Sequence, residues 1–261
     1  MKNYQKKSVK LLTIMALSLS TFAFTSINSS AAAKKVSYKS TSLKYFREVK
    51  PGLNTIVYSK PSLKSEKMTK IPANSGVVVT GQTSKGFSKI RYQFGYAYVK
   101  TANLMTTTKN TGTKYARNIH QKYHYDLPLN AGSGFARTFY AKYTTTYKYI
   151  PAVKNFWHLT SSPDQTSEAE YDAKKGLYVG DMEDGYLSLA IKYPVNTKKS
   201  WVGPYGNKTK VISKKNTVKT TAGTFKNVVS VKNGKTVSYF APNKGLIQVK
   251  ENNKTVLKLI K

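Results

Sequence analysis

The sequence predicts an all-β fold: a small barrel, then a larger antiparallel meander that closes into a barrel or curls into a strongly bent sheet, both behind a cleaved export signal. Three observations point there. From Leu53 onward, short β-type runs alternate with Gly, Pro and Asn turn residues, the spacing of small all-β domains. From Phe139 through Tyr149 the odd positions are Phe139, Ala141, Tyr143, Thr145, Tyr147 and Tyr149, set against Lys142, Thr144, Thr146 and Lys148. That period of two belongs to a half-buried strand. Asn233-Gly234 separates two further alternating runs and is a strong hairpin signal, because both residues tolerate positive φ.

The export signal rests on the amino terminus. Lys2, Lys6, Lys7 and Lys10 precede an apolar run over 11–24, and a polar stretch then ends in Ala31-Ala32-Ala33. Basic, apolar and small-residue regions in that order define a secretory signal, which predicts cleavage after Ala33 and export to the wall of a Gram-positive type of cell or beyond it. A membrane span needs about 20 apolar residues. This run is shorter and carries Ser and Thr, and no second long apolar run follows, so no membrane insertion is expected after cleavage. The chain has no cysteine. A lipid-anchoring thiol, disulfides, thiolate zinc sites and cysteine nucleophiles are therefore excluded, and stability falls to core burial.

Charge narrows the partners. Lys and Arg number 44 against 11 Asp and Glu, a formal net charge of +33. Such a field draws polyanions. In a cytoplasm that means nucleic acid; outside a bacterium it means teichoic acid, peptidoglycan carboxylates or anionic lipid, and the export signal selects the envelope partners over nucleic acid. Lysine also keeps strand-rich proteins soluble and guards sheet edges, and the two roles coexist. Seven of the eleven acids, Asp164, Glu168, Glu170, Asp172, Asp181, Glu183 and Asp184, fall in one stretch.

In the first domain, strands are expected at Thr55–Tyr58, Val77–Thr80, Phe87–Tyr92 and Tyr96–Val99, with Gly76, Gly81, Gly86 and Gly95 between them where tight turns need backbone freedom. The segment from about Leu53 to Leu104 resembles a bacterial SH3-like domain. The matching elements are Leu53-Asn54 at the opening, the turn Val57-Tyr58-Ser59-Lys60-Pro61-Ser62, Ser75-Gly76-Val77, Gly86-Phe87-Ser88-Lys89-Ile90, and Gly95-Tyr96-Ala97-Tyr98-Val99 with Leu104. Tyr58 stands where the family usually has Arg and Phe87 where Trp is common; both keep the bulk. The resemblance implies an exported module of the kind found beside cell-wall enzymes, docking on peptidoglycan or anionic wall polymer. Its groove candidates are Tyr58, Phe87, Tyr92, Tyr96 and Tyr98, with Lys60, Lys89 and Arg91 as charge partners.

The expected organisation is a signal over 1–33, the SH3-like domain with its lead-in over 34–107, a linker over 108–122 and an antiparallel β domain over 123–261. The linker reading rests on the polar run Met105 to Lys114, which lacks apolar periodicity; Tyr115 to Tyr125 fits a short helix or an extended lead-in. Beyond it, strands are expected at Phe156–Leu159, Gly176–Val179, Tyr186–Tyr193, Lys208–Ser213, Thr224–Lys232, Lys235–Phe240, Leu246–Lys250 and Thr255–Ile260, with Asn252-Asn253 as a second tight turn. Segments around Tyr193-Pro194, Lys199-Ser200-Trp201, 222–229 and 239–247 resemble a recurrent β domain of exported bacterial proteins, which supports the fold and implies no particular chemistry.

Wall hydrolases are the natural enzymes for such a module, and the sequence lacks a complete set of their catalytic parts. A zinc peptidase of the wall-lytic type needs a His-x-His pair, and His120, His124 and His158 supply none. His120 and His124 are four apart, with Asp126 nearby; on a helix they would share a face, but nothing caps or frames a helix there, and two exposed histidines in a connector are expected. His158 beside Trp157 is read as a packing residue. Asp181-Met182-Glu183-Asp184-Gly185 has acids at turn spacing without the remainder of a calcium loop and is read as a solvated turn. Glu168, Glu170, Asp181, Glu183 and Asp184 could pair for glycoside cleavage, though no sugar cleft shows in the pattern. Asn130-Ala131-Gly132-Ser133-Gly134 lacks the glycine two residues before the serine that a nucleophile elbow requires. No cofactor or metal site is expected.

Binding is what the composition favours. The chain holds 20 Tyr, 10 Phe and 2 Trp among its lysines; tyrosine stacks on sugars and peptides while its hydroxyl bonds polar groups, and it also fills alternating strands. Two other functions are compatible with the sequence: a wall hydrolase using the acidic stretch 164–184, and a carrier or inhibitor holding a small or peptide ligand within the second sheet.

Overall fold

The computed structural model describes residues 34–35, 46–92, 95–127, 138–144, 156–160, 165–181, 185–203 and 206–261. The expected signal 1–33, the turn at 130–134, Asp164, the acids at 183–184 and the end of the alternating run, 145–149, lie outside the described residues.

Every regular element of appreciable length is a strand, and every pairing is antiparallel. The first sheet comprises β1 (Lys34–Lys35), β2 (Phe46–Val49), β3 (Thr55–Tyr58), β4 (Lys67–Ile71), β5 (Gly76–Gln82), β6 (Phe87–Tyr92), β7 (Gly95–Lys100) and β8 (Leu104–Thr106), in the order β4-β3-β7-β6-β5-β2-β8 with β1 on β5. Alternation sends Val49, Val57, Ile71, Val77, Val79, Ile90, Ala97, Val99 and Leu104 inward as one core. Two consequences of that core were not legible beforehand: the lead-in contributes β2, and Lys67–Ile71 forms β4 despite a polar sequence. A 3-10 turn at Thr101–Asn103 joins β7 to β8, and the Asn103 amide donates to Thr55 Oγ1 at 2.8 Å.

The second sheet has twelve strands: β9 (Lys122–Asp126), β10 (Thr138–Thr144), β11 (Phe156–Thr160), β12 (Gln165–Ala173), β13 (Gly176–Asp181), β14 (Ser188–Lys192), β15 (Ser200–Val202), β16 (Lys208–Thr220), β17 (Gly223–Asn233), β18 (Thr236–Ala241), β19 (Gly245–Glu251) and β20 (Lys254–Leu259). Their order is β14-β13-β12-β11-β10-β9-β20-β19-β18-β17-β16-β15, so the last strand of the chain pairs with β9. The two end strands, β14 and β15, come together across the curl: the Trp201 indole donates to the Leu189 carbonyl at 2.7 Å, both buried. The meander is therefore bent nearly into a barrel and sealed by a side chain.

Turn chemistry follows the sequence with one shift. Asn252 and Asn253 both take positive φ, 48° and 67°, between the paired Glu251 and Lys254, as a tight two-residue hairpin needs. At the other hairpin Asn233 pairs with Thr236, so the turn is Gly234-Lys235 and not Asn233-Gly234, with positive φ at Gly234 alone.

The segment 108–122, expected as a linker, lies along the second sheet. Lys109 bridges to Ala173, the Asn110 amide donates to the Asp172 carboxylate at 3.2 Å, and Tyr115 is buried in the second core. Two of its polar residues, Asn110 and Arg117, are buried with partners, which a test for apolar periodicity cannot detect. The two sheets also touch directly. Phe46 of β2 stacks on Tyr171 with centroids 4.7 Å apart and meets Tyr178 at 5.0 Å, while Gly76 and Leu187 exchange two backbone hydrogen bonds of 2.7 Å.

Candidate functional site

Register in the first sheet sets the outer face of the barrel. Lys67 lies opposite Tyr58, Tyr58 opposite Tyr98, and Tyr98 opposite Lys89, a single rung across β4, β3, β7 and β6. The flanking pairs on β6 and β7 are Phe87 with Lys100 and Arg91 with Tyr96. The intervening residues Val57, Ala97, Val99 and Ile90 point to the core, so all of these side chains share the face turned away from it.

Within that face the aromatics take two roles. Tyr58, Phe87 and Tyr98 are 5%, 6% and 2% exposed and form a small cluster of their own with Ile56. Tyr58 and Phe87 meet edge to face, centroids 5.7 Å apart at 90°, a favoured aromatic geometry. These are the two positions where the sequence departs from the usual Arg and Trp, and they pack on each other. Tyr96 is 40% exposed. Lys89 Nζ lies 4.1 Å and Arg91 Cζ 5.3 Å from its ring centroid, within cation–π range.

Arg91 is 4% exposed, and its Nε–H has no acceptor among the described residues. Burial holds its guanidinium below the ordinary value, while the adjacent Tyr96 phenol works the other way. A carboxylate or phosphate oxygen arriving beside Tyr96 would meet the Lys89 ammonium and the field of the buried Arg91 guanidinium. Lys60 sits on the exposed turn after β3, whose carbonyl accepts from Ser65 Oγ at 3.0 Å.

Of the eight residues singled out from sequence, Tyr58, Phe87, Lys89, Arg91, Tyr96 and Tyr98 come together on this face and Lys60 borders it. Tyr92 does not. It packs against the barrel core with Tyr186, and a Cβ on Gly185 would lie 3.0 Å from the Tyr92 Cα, which places Tyr92 in the junction between the sheets. Lys67 and Lys100 join the face and were missed. Lys67 could be found only by recognising β4, whose alternation is weak.

Several of the other candidates are accounted for structurally. Arg117 pairs with Glu168 and, at 2.9 Å, with Glu170, whose second oxygen accepts the Arg117 backbone N–H at 2.9 Å; the side chains of Arg117, Glu168 and Glu170 are all nearly fully buried. Asp172 accepts from Tyr193 at 2.9 Å and from Asn110; burial raises its carboxyl above the ordinary value, and those hydrogen bonds oppose the rise. His124 is not in an exposed connector: it lies half-buried on β9, where its backbone bonds Lys261 and Ile260, whereas His120 is exposed in the preceding turn. A strand rather than a helix carries His124, so the four-residue spacing does not define a shared helical face. Among the described residues no three His, Asp or Glu side chains gather as metal ligands.

A seven-strand barrel path with this outer face defines an SH3-like module, and residues 53–105 match the family model of the bacterial SH3 domain. Searches of curated proteins and of solved structures return no match to the chain. Among the described residues no helix is long and apolar enough to cross a membrane.

Proposed function

We propose that this is an exported, wall-associated binding protein whose SH3-like barrel docks on peptidoglycan or an anionic wall polymer, without covalent chemistry. The observation that carries the reading is Tyr96 standing exposed over Lys89 and the buried, under-bonded Arg91. A ring that offers its face beside two cations suits a ligand with a saccharide or peptide surface and a nearby anion. The expected leader over 1–33 and the charge of +33 support a site of action outside the membrane, on polyanionic envelope material rather than nucleic acid. Glu168 and Glu170, two of the carboxylates a hydrolase could draw on, are buried and engaged by Arg117, which favours binding over cleavage.

Retention on purified sacculi, with and without their teichoic acid and across a salt series, tests this. Y96A and K89Q alter exposed or half-exposed groups and should each weaken retention about fivefold, the effect of losing ~1 kcal/mol of stacking or cation–π attraction. Retention equal to the parent in both variants at low salt would remove the barrel face from consideration.

A further inference from the structure

The outer face of the second sheet carries a row of lysines that the barrel reading does not use. Register aligns Ser200, Lys210, Lys232, Val237, Lys250 and Thr255 in one rung across β15 to β20. Their chain neighbours Thr209, Val211, Val231, Thr236 and Val249 are buried, so the rung faces away from the core. Lys210 and Lys232 are exposed and directly opposite one another, and Lys250 lies half-buried with its Nζ 5.7 Å from the Tyr239 ring. Lys208 extends the patch on the same face of β16.

Two features set this row apart from ordinary surface lysine. Like charges directly opposite in adjacent strands are destabilising, and the rung contains no acid to relieve them; Glu251 belongs to the next rung, between Thr236 and Lys254. Lysine that guards a sheet belongs on its edges, yet β16, β17 and β19 are interior strands, the ends being β14 and β15.

We propose that this rung is a second, independent binding surface for a linear polyanion of phosphodiester-linked polyol units. With strands about 4.8 Å apart, Lys210 and Lys232 stand roughly 5 Å apart at the backbone and Lys232 and Lys250 roughly 10 Å. Flexible side chains on that spacing can follow successive phosphates of an extended chain. The arrangement is a line rather than a broad disc, which fits a polymer better than a bilayer. The exposed Val202 and Ile212 flank only its β15–β16 end.

Soluble poly(glycerol phosphate) is the probe, titrated against the full chain over a salt series, with phosphatidylglycerol vesicles as a parallel arm. The variant K210Q/K232Q/K250Q should bind the polymer at least tenfold more weakly. Its log–log salt slope should flatten by about 2, from three lost contacts at roughly 0.7 each. K210R/K232R/K250R should bind as the parent does, tying the loss to charge and not to folding. Unchanged affinity and slope in the glutamine variant, or parent binding to vesicles but not to polymer, would overturn the proposal. The glutamine variant should be retained as the parent is on sacculi stripped of teichoic acid, where Y96A and K89Q test the barrel face, so failure here and failure of the barrel reading are separate results.

Discussion

A carboxylate stays ionised inside a protein only with a partner, and Arg117 provides that partner to both Glu168 and Glu170. R117M would leave two buried charges uncompensated and should cost about 3–5 kcal/mol in urea unfolding. The triple change R117M/E168Q/E170Q should recover most of the loss; a triple variant as unstable as the single one would mean that shape, not charge, sets the cost. Asp172 gives a second test, through pH. Burial raises its folded pKa above the unfolded value near 4, so its neutral form is the one the fold prefers. Its contribution to stability is fully present below the unfolded pKa and declines as pH rises through the folded one. D172N carries no such charge. Its melting temperature relative to the parent should therefore climb with pH across that window and level off above it; a difference independent of pH would show that the Asp172 carboxyl is not disfavoured as an anion.

At the scale of elements, the second sheet depends on how its ends meet. Trp201 on β15 closes the gap to β14 through one indole hydrogen bond to Leu189. W201F keeps an aromatic ring but leaves that buried carbonyl without its donor, which should cost about 1–3 kcal/mol; hydrogen exchange should quicken first in Ser188–Lys192 and Ser200–Val202. Protection unchanged in those strands would mean that the edges are held by other contacts. Strands whose alternation is apolar against polar were legible in the sequence: Thr55–Tyr58 and Phe87–Tyr92 stand where expected, and the run from Lys208 onward differs mainly in length. β12 was missed because both of its faces pack. Ala169, Tyr171 and Ala173 enter the core while Glu168 and Glu170 on the other face meet Arg117, so acids that the sequence offers as hydrolase candidates are buried ion-pair partners. The period of two is present in that segment, but residue type hides it. The barrel face was legible for the same reason that β6 and β7 were, since cross-strand partners in a tight hairpin follow from register. Lys67 depends on the pairing of β4, which local sequence does not announce.

For the whole molecule, the question is whether barrel and sheet unfold together. A barrel this small buries little apolar area by itself: its inner core is nine aliphatic side chains, and its buried aromatics Tyr58, Phe87 and Tyr98 form a separate small cluster. Its fully buried phenylalanine, Phe46, is placed in the other core against Tyr171 and Tyr178. The Gly76–Leu187 backbone pair and the ion pair of Glu48 with Lys175 at 3.0 Å lie at the same junction. Gly76 is required there because a methyl group would collide with the Phe46 ring. The chain contains a convenient reporter: both tryptophans, Trp157 and Trp201, lie in the second sheet and none lies in the barrel. In the parent, tryptophan fluorescence and far-ultraviolet circular dichroism should give coincident unfolding curves, the mark of one cooperative unit. In G76A, Phe46 is forced from its site, and circular dichroism should begin to fall before fluorescence does as the barrel melts first. Divergent curves already present in the parent would show that the junction does not couple the two sheets. Coincident curves in G76A at an unchanged midpoint would show that Phe46 accommodates the methyl group and that coupling runs through Glu48 and Lys175 instead.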